Sequence, residues 1–183
     1  SAVVALGQDR KLRTIVKDFA KRGALIPFEH CVWLVVEVVI VLGYAHRAAG
    51  LDGQPLKIIH RDVSPQNVLL GRDGVVKLID FGVAKATTAG QVTAAGMIKG
   101  KFAYMSPEQL RGQPLDGRSD IYGLGLVLYE LIAAERAIGG ASEAEIAQNA
   151  MLMRFLPMAQ RRPDIPAELL ALLNRALARN RDD

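Results

Sequence analysis

The stretch from residue 60 to residue 80, HRDVSPQNVLLGRDGVVKLID, constrains this chain more than any other. Two short apolar runs, NVLL and VVKLI, flank Asp73-Gly74, a dipeptide that favours the tight turn of a β-hairpin. A hairpin brings its own ends together. Asp62 and Asn67 precede it and Asp80 follows it, so three oxygen-bearing side chains are predicted to converge on one spot. A few oxygen ligands, with no His or Cys cluster, suit a hard cation such as Mg²⁺ that keeps waters and takes phosphate oxygens as its other ligands. A carboxylate not used by metal can orient a hydroxyl nucleophile. Such a set fits phosphoryl transfer, where catalysis is mostly positioning and charge neutralisation.

The remainder reads as helices. From Arg10 to Arg22 the apolar residues Leu12, Ile15, Val16 and Phe19 fall on one helical face, and Gly23 ends the run. Pro27 opens a second segment that reaches Ala49. Its valines favour sheets, but more than twenty residues without a turn signal predict a helix, apolar nearly all round and therefore buried. Its centre, CVWLVVEVVIVL, is about twelve residues long and interrupted by Glu37, short of the ~20 that span a bilayer, so no membrane segment is expected. Residues 50–55 read as a loop, and residues 85–100 as a mobile surface segment without a period. A strongly apolar helix is predicted over residues 120–134. Ser142-x-x-Glu145 predicts a capping box opening a helix to about Met153, and Pro166 stands in the first turn of a last helix carrying Leu169, Leu170, Leu172, Leu173 and Leu177. The expected class is mainly α (α+β overall), a helical bundle with one small hairpin. At 183 residues it is one domain.

Composition removes several functions. Hydrophobic residues make up 50% and charged ones 23%, which excludes disorder of the whole chain. Mean hydropathy of +0.17 is high for a soluble domain and predicts a strongly buried core or apolar surface that a partner covers. Cys31 is the one cysteine, which excludes an internal disulfide and a cysteine zinc site and fits a reducing, cytoplasmic location. The net charge of +4 is scattered and aromatics are scarce, so no nucleic-acid partner is expected. No signal peptide pattern follows Ser1. His30 and His46 have no ligand partners in metal spacing. Cys31 and Trp33 are expected to be packing residues.

His60-Arg61-Asp62 with Asn67, then Asp80-Phe81-Gly82, then Ser106-Pro107-Glu108, resemble the catalytic loop, metal loop and activation-segment end of eukaryotic-type protein kinases. The wording HRDVSPQN, DFGVAK and KGKFAYMSPEQ is most similar to bacterial kinases of the serine/threonine class. The resemblance covers nearly the whole chain. It implies a kinase-like carboxyl-terminal lobe using ATP and Mg²⁺ on a protein substrate, with Asp62 orienting the substrate hydroxyl and Asn67 and Asp80 holding the metal. It implies that Leu69 lies under the adenine. It also implies that Arg61 pairs with a phosphorylated residue, for which Thr87, Thr88 and Thr93 are candidates. His60, Phe81 and Gly82 align the loops, and Asp120 hydrogen-bonds the catalytic-loop backbone, with helix N-capping as its alternative role.

Two departures come as a pair. Ser64 stands where the serine/threonine class carries a catalytic-loop lysine, and Lys101, in Lys99-Gly100-Lys101-Phe102, stands where it carries a threonine. Lys101 is therefore expected to supply the positive charge at the transferring phosphoryl group, with Ser64 as its hydrogen-bond partner. A third departure is larger: no Gly-x-Gly-x-x-Gly and no Val-Ala-x-Lys occurs in these 183 residues. The expected organisation is a partial kinase domain over residues 1–183. Residues 1–8 are a hinge remnant and residues 9–183 the carboxyl lobe. The amino lobe is missing, as is a last helix with the arginine that would pair with Glu108. Such a piece is expected to expose apolar surface, to bind ATP poorly and to be inactive alone. The alternative is a pseudokinase or regulatory lobe.

Overall fold

The computed structural model describes residues 9–81 and 101–181. Those residues form seven α-helices and one three-stranded antiparallel sheet, ordered β1-β2-β3. The predicted strand near the first residues and the segment at 85–100 lie outside the described residues.

The first helix begins later than its pattern predicts. Arg10–Lys11 is extended (β1) and pairs with Leu70 and Leu69, and α1 runs Leu12–Lys21. A two-residue strand is shorter than any periodic signal, so only its partner reveals it. The α1 face is the predicted one: Leu12 and Val16 are buried, with Ile15 and Phe19 packed partly against them. Gly23, at φ +61°, takes the left-handed conformation that ends the helix.

Helix α2 spans Phe28–Arg47. At 20 residues it has the length and apolar content of a membrane span, so the twelve-residue reading was too short. Cys31, Leu34, Val38 and Leu42 form its one buried stripe. Val32, Trp33, Val36, Val39, Ile40 and Tyr44 are exposed, which corrects both the expectation of burial all round and the packing role of Trp33. Its main described neighbours, α4 and β3, cover a single side of the helix.

The hairpin forms where predicted. Strands β2 (Val68–Leu70) and β3 (Val76–Leu78) pair Val68 with Leu78 and Leu70 with Val76, and Val68 and Val76 face the core. The turn closes through Gly71 N–H donating to Val75 O at 2.8 Å, with Gly74 at φ +80°.

Helix α3 is the single turn Pro107–Leu110, capped reciprocally by Ser106 and Gln109. Helix α4, Gly117–Ala133, is the centre of the core, buried without interruption from Tyr122 to Ile132. It starts before Asp120, because Asp116 caps it by accepting the Arg118 N–H at 2.9 Å. In α5, Glu143–Met151, Ser142 Oγ accepts the Glu145 N–H at 3.2 Å. Glu145 reaches the N–H of Ala141 rather than that of Ser142, so the predicted capping box is only half made. Helix α6 is Met158–Arg161. In α7, Ala167–Ala176, Leu173 and the following Leu177 are buried, whereas Leu172 is exposed.

Candidate active site

Asp120 is the fixed point on which the site is built. It is 1% exposed, one turn into α4. Its Oδ2 accepts the backbone N–H of His60 at 2.9 Å and its Oδ1 that of Arg61 at 2.8 Å. The helix-cap alternative is therefore replaced by an anchor on the loop, since Asp116 fills the cap. Arg61 sits at φ +67°, an unfavourable region for a residue with a side chain, and the pinned amides hold it there. His46 completes the anchor, with Nε2 2.7 Å from Asp120 Oδ2. It lies 74 residues away in sequence, so nothing local announced the pair.

His60 ties the two ends of the hairpin together. Its Nδ1 accepts the Asp62 N–H at 3.2 Å and its Nε2 donates to Ile79 O at 3.0 Å, a pattern that assigns the neutral Nε2–H tautomer. The Phe81 ring packs against the imidazole, centroids 4.5 Å apart and tilted by 55°. At the hairpin's open end Ile79 N–H donates to Asn67 O at 2.9 Å, which places Asp80 one residue beyond the partner of Asn67. Asp80 is exposed and adopts φ +60°.

Asp62 and Asn67 meet directly. Asn67 Nδ2 donates to Asp62 O at 2.8 Å, which commits the amide nitrogen and leaves the amide oxygen as the acceptor. From 39 residues further along the chain, Lys101 Nζ stands 2.8 Å from Asp62 Oδ2. The two side chains are 25% and 15% exposed, so the pair is sheltered but open to an incoming molecule. Ser64 is buried, and its carbonyl accepts the Asn67 N–H at 2.9 Å. Among the described residues no group of three or more His, Cys, Asp or Glu side chains can hold a metal. A cation here would depend on Asn67 and Asp80 with phosphate and water oxygens, a hard donor set that suits Mg²⁺.

The loop after Lys101 is held by the same helix. Gln109 Nε2 donates to Arg61 O at 2.8 Å, and Glu108, buried, accepts the Ser119 hydroxyl at 2.5 Å. Gly123 of α4 lies under both loops: a Cβ there would stand 3.2 Å from Val63 O and 3.3 Å from Tyr104 O. The Tyr104 hydroxyl, on a 3-10 turn over Phe102–Tyr104, donates to the Glu130 carboxylate. Burial raises the pKa of both groups. Neither residue, nor Gly123, carries a sequence signal of its own.

Residues 4–183 match the protein kinase domain family. The chain belongs to that family. It is 37% identical over 93% of its length to the tyrosine-protein kinase MasK of Myxococcus xanthus, covering 26% of that protein. It is 33% identical over 92% of its length to the serine/threonine-protein kinase PknB of Mycolicibacterium smegmatis, covering 26% of it. It is 39% identical over 93% of its length to the serine/threonine-protein kinase PknL of Mycobacterium tuberculosis, covering 40% of it. The chain thus spans well under half the length of the curated relatives it matches. Within this kinase chain Leu69 sits mid-sheet, between Lys11 and Lys77. Gly82, Thr87, Thr88 and Thr93 lie outside the described residues.

Proposed function

We propose that this chain is the carboxyl lobe of a kinase that transfers the γ-phosphoryl group of ATP to a serine or threonine hydroxyl of a protein. One observation carries the reading: the Asp62 carboxylate is held on a loop pinned by Asp120, beside Asn67, with the Lys101 ammonium at 2.8 Å. Asp62, held against Lys101 through Oδ2, is the carboxylate that accepts the proton of the attacking hydroxyl. The new oxygen–phosphorus bond forms as the bond to the ADP oxygen breaks, and ADP departs with that electron pair. Lys101 supplies fixed positive charge next to the reacting oxygen, the place left without charge by Ser64. Mg²⁺, when held by Asn67 and Asp80, neutralises phosphate charge. Leu69 contacts the adenine. Thr87, Thr88 and Thr93 are the candidates for the phosphorylated residue that Arg61 pairs with. The hydroxyl preference follows the motif wording together with the names of the serine/threonine-protein kinases PknB and PknL, while that of MasK names tyrosine.

The test uses the intact protein with ATP labelled on the γ-phosphate, followed by phosphoamino acid analysis. Labelled phosphoserine or phosphothreonine is expected, and Asp62→Asn and Asp80→Ala each remove it. Label on tyrosine alone overturns the hydroxyl assignment. No label from a folded protein that binds nucleotide favours the second reading, a non-catalytic lobe, which the buried Ser64 at the lysine position supports.

A further inference from the structure

We infer that the outward face of α2 pairs two copies of this chain, antiparallel and about a twofold axis. The inference is independent of the kinase reading above. Val32, Trp33, Val36, Val39 and Ile40 are between 39% and 47% exposed and Tyr44 is 73% exposed. The opposite face, Cys31, Leu34, Val38 and Leu42, is buried in the core. The exposed residues recur at three- and four-residue spacing, so they form one stripe along the helix. A continuous apolar stripe facing water marks an interaction surface. It continues past Val39 into a cavity of about 660 Å³ between α2, α4 and α7, whose lining includes the exposed Leu172.

The pattern along the stripe says what covers it. Glu29 stands at its beginning and Arg47 at its end, about 27 Å apart. Among the described residues neither forms an ion pair. Counting out from Val38, Glu29 and Arg47 are each nine residues away, Val32 and Tyr44 six, Trp33 and Gly43 five, Val36 and Ile40 two. Turned end for end, the helix therefore offers Arg47 to Glu29, Ile40 to Val36, and a glycine to Trp33, the largest side chain on the face. The Arg47 guanidinium lies back over Gly43, with Nη2 3.2 Å from where a Cβ would stand, so its charge stays on this face. Trp33 of the second copy stacks on that planar cation. Self-complementarity of this kind is what a twofold contact requires, because each copy presents the same patch. The opposite charges at the two ends set the direction: a parallel pair would place Glu29 on Glu29 and Arg47 on Arg47. The remaining charges lie on the flanks, Glu37 and His30 on one and Arg175 and Arg179 of the cavity lining on the other. The twofold brings the two Glu37 residues to the same flank, where water screens them. A lipid surface would meet Glu29 and Arg47 alike, and neither their opposition nor the match of Trp33 to Gly43 serves it.

The test joins sedimentation equilibrium of the intact protein with oxidative cross-linking by copper phenanthroline. A concentration-dependent dimer is expected, and Val36→Asp is expected to leave a monomer. Glu29→Arg or Arg47→Glu alone is expected to weaken association about tenfold, since each acts twice across the twofold. Glu29→Arg/Arg47→Glu together is expected to restore it, which a mere loss of helix stability does not do. An equal mixture of Val36→Cys and Ile40→Cys chains is expected to give a covalent dimer, whereas Leu51→Cys, fully exposed off this helix, is not. Cys31 is buried and does not compete. Circular dichroism checks that each variant is folded. A monomer at concentrations up to the order of 100 µM overturns the inference. Association that survives Val36→Asp, with no covalent dimer in the mixture, belongs to another surface and overturns it as well. Binding of a monomeric protein to phosphatidylcholine–phosphatidylglycerol vesicles, abolished by Val36→Asp, overturns it in favour of a lipid surface.

Discussion

Lys101 and Asp62, 39 residues apart in the chain, meet with Nζ 2.8 Å from Oδ2. The positive charge beside Asp62 is therefore delivered by a separate loop, ahead of Ser106-Pro107-Glu108, and not by the loop that carries Asp62. A charge arriving on a separate loop ties its presence to that loop's position. Any change that displaces residues 101–104 is expected to disarm Asp62 as well.

Lys101→Ala in the intact protein is expected to lower kcat on the order of 100-fold, the scale for loss of one preorganised electrostatic contact. Adding Ser64→Lys to that variant is expected to restore much of the loss, because it returns the ammonium to the catalytic loop. Steady-state kinetics on one peptide decide it. Undiminished kcat in Lys101→Ala places the ammonium outside the chemistry.

Removing Asp120 leaves two backbone N–H groups, those of His60 and Arg61, without their acceptor. Asp120→Ala is expected to lose about 3 kcal/mol of unfolding free energy, measured by denaturant titration, since buried donors left unpaired cost about 1–3 kcal/mol each. His46→Phe removes only one side of the anchor. It is expected to cost less and to leave activity closer to normal.

Gly123→Ala places a methyl group 3.2 Å from Val63 O and 3.3 Å from Tyr104 O. Both are backbone atoms, and neither can swing aside as the end of a side chain would. Overpacking of this kind costs about 1–3 kcal/mol. The variant is expected to lose activity more than stability, because the displaced backbones carry Asp62 and Lys101. A melting curve alongside kcat separates the two effects.

Glu130 has a folded pKa above its ordinary value, chiefly through burial. Folding then takes up a proton when the pH lies between the unfolded and folded values. Stability from this residue is fully present below the ordinary value of 4.5 and is lost as pH rises through the raised folded value. Relative to the wild type, Glu130→Gln is expected to gain stability as pH rises above that range, with the difference vanishing in acid. Parallel unfolding curves from pH 4 to pH 8 measure it. A difference independent of pH contradicts the assignment.

Much of the fold could be read in the chain because it rests on local signals. Asp73-Gly74 dictated the hairpin turn, the 3.6-residue period placed the buried face of α1, and Pro and Gly marked the helix ends. That Asn67 lies beside Asp62, and that Asp80 stands one residue past the partner of Asn67, likewise followed from hairpin geometry. Partners distant in sequence were not legible. A two-residue strand such as Arg10–Lys11 exists only because Leu69 and Leu70 lie beside it, and the exposed half of α2 reflects which neighbours cover it.

Composition and pattern by themselves determined the element types, the hairpin and the chemical character of its polar residues, since these depend on neighbours a few positions away. Tertiary structure alone decided that His46 reaches Asp120, that Lys101 reaches Asp62, and that Tyr104 closes on Glu130. Each of these contacts joins residues separated by a whole helix or loop. Their energy appears only when packing of α4 brings the segments together, so no local propensity encodes them.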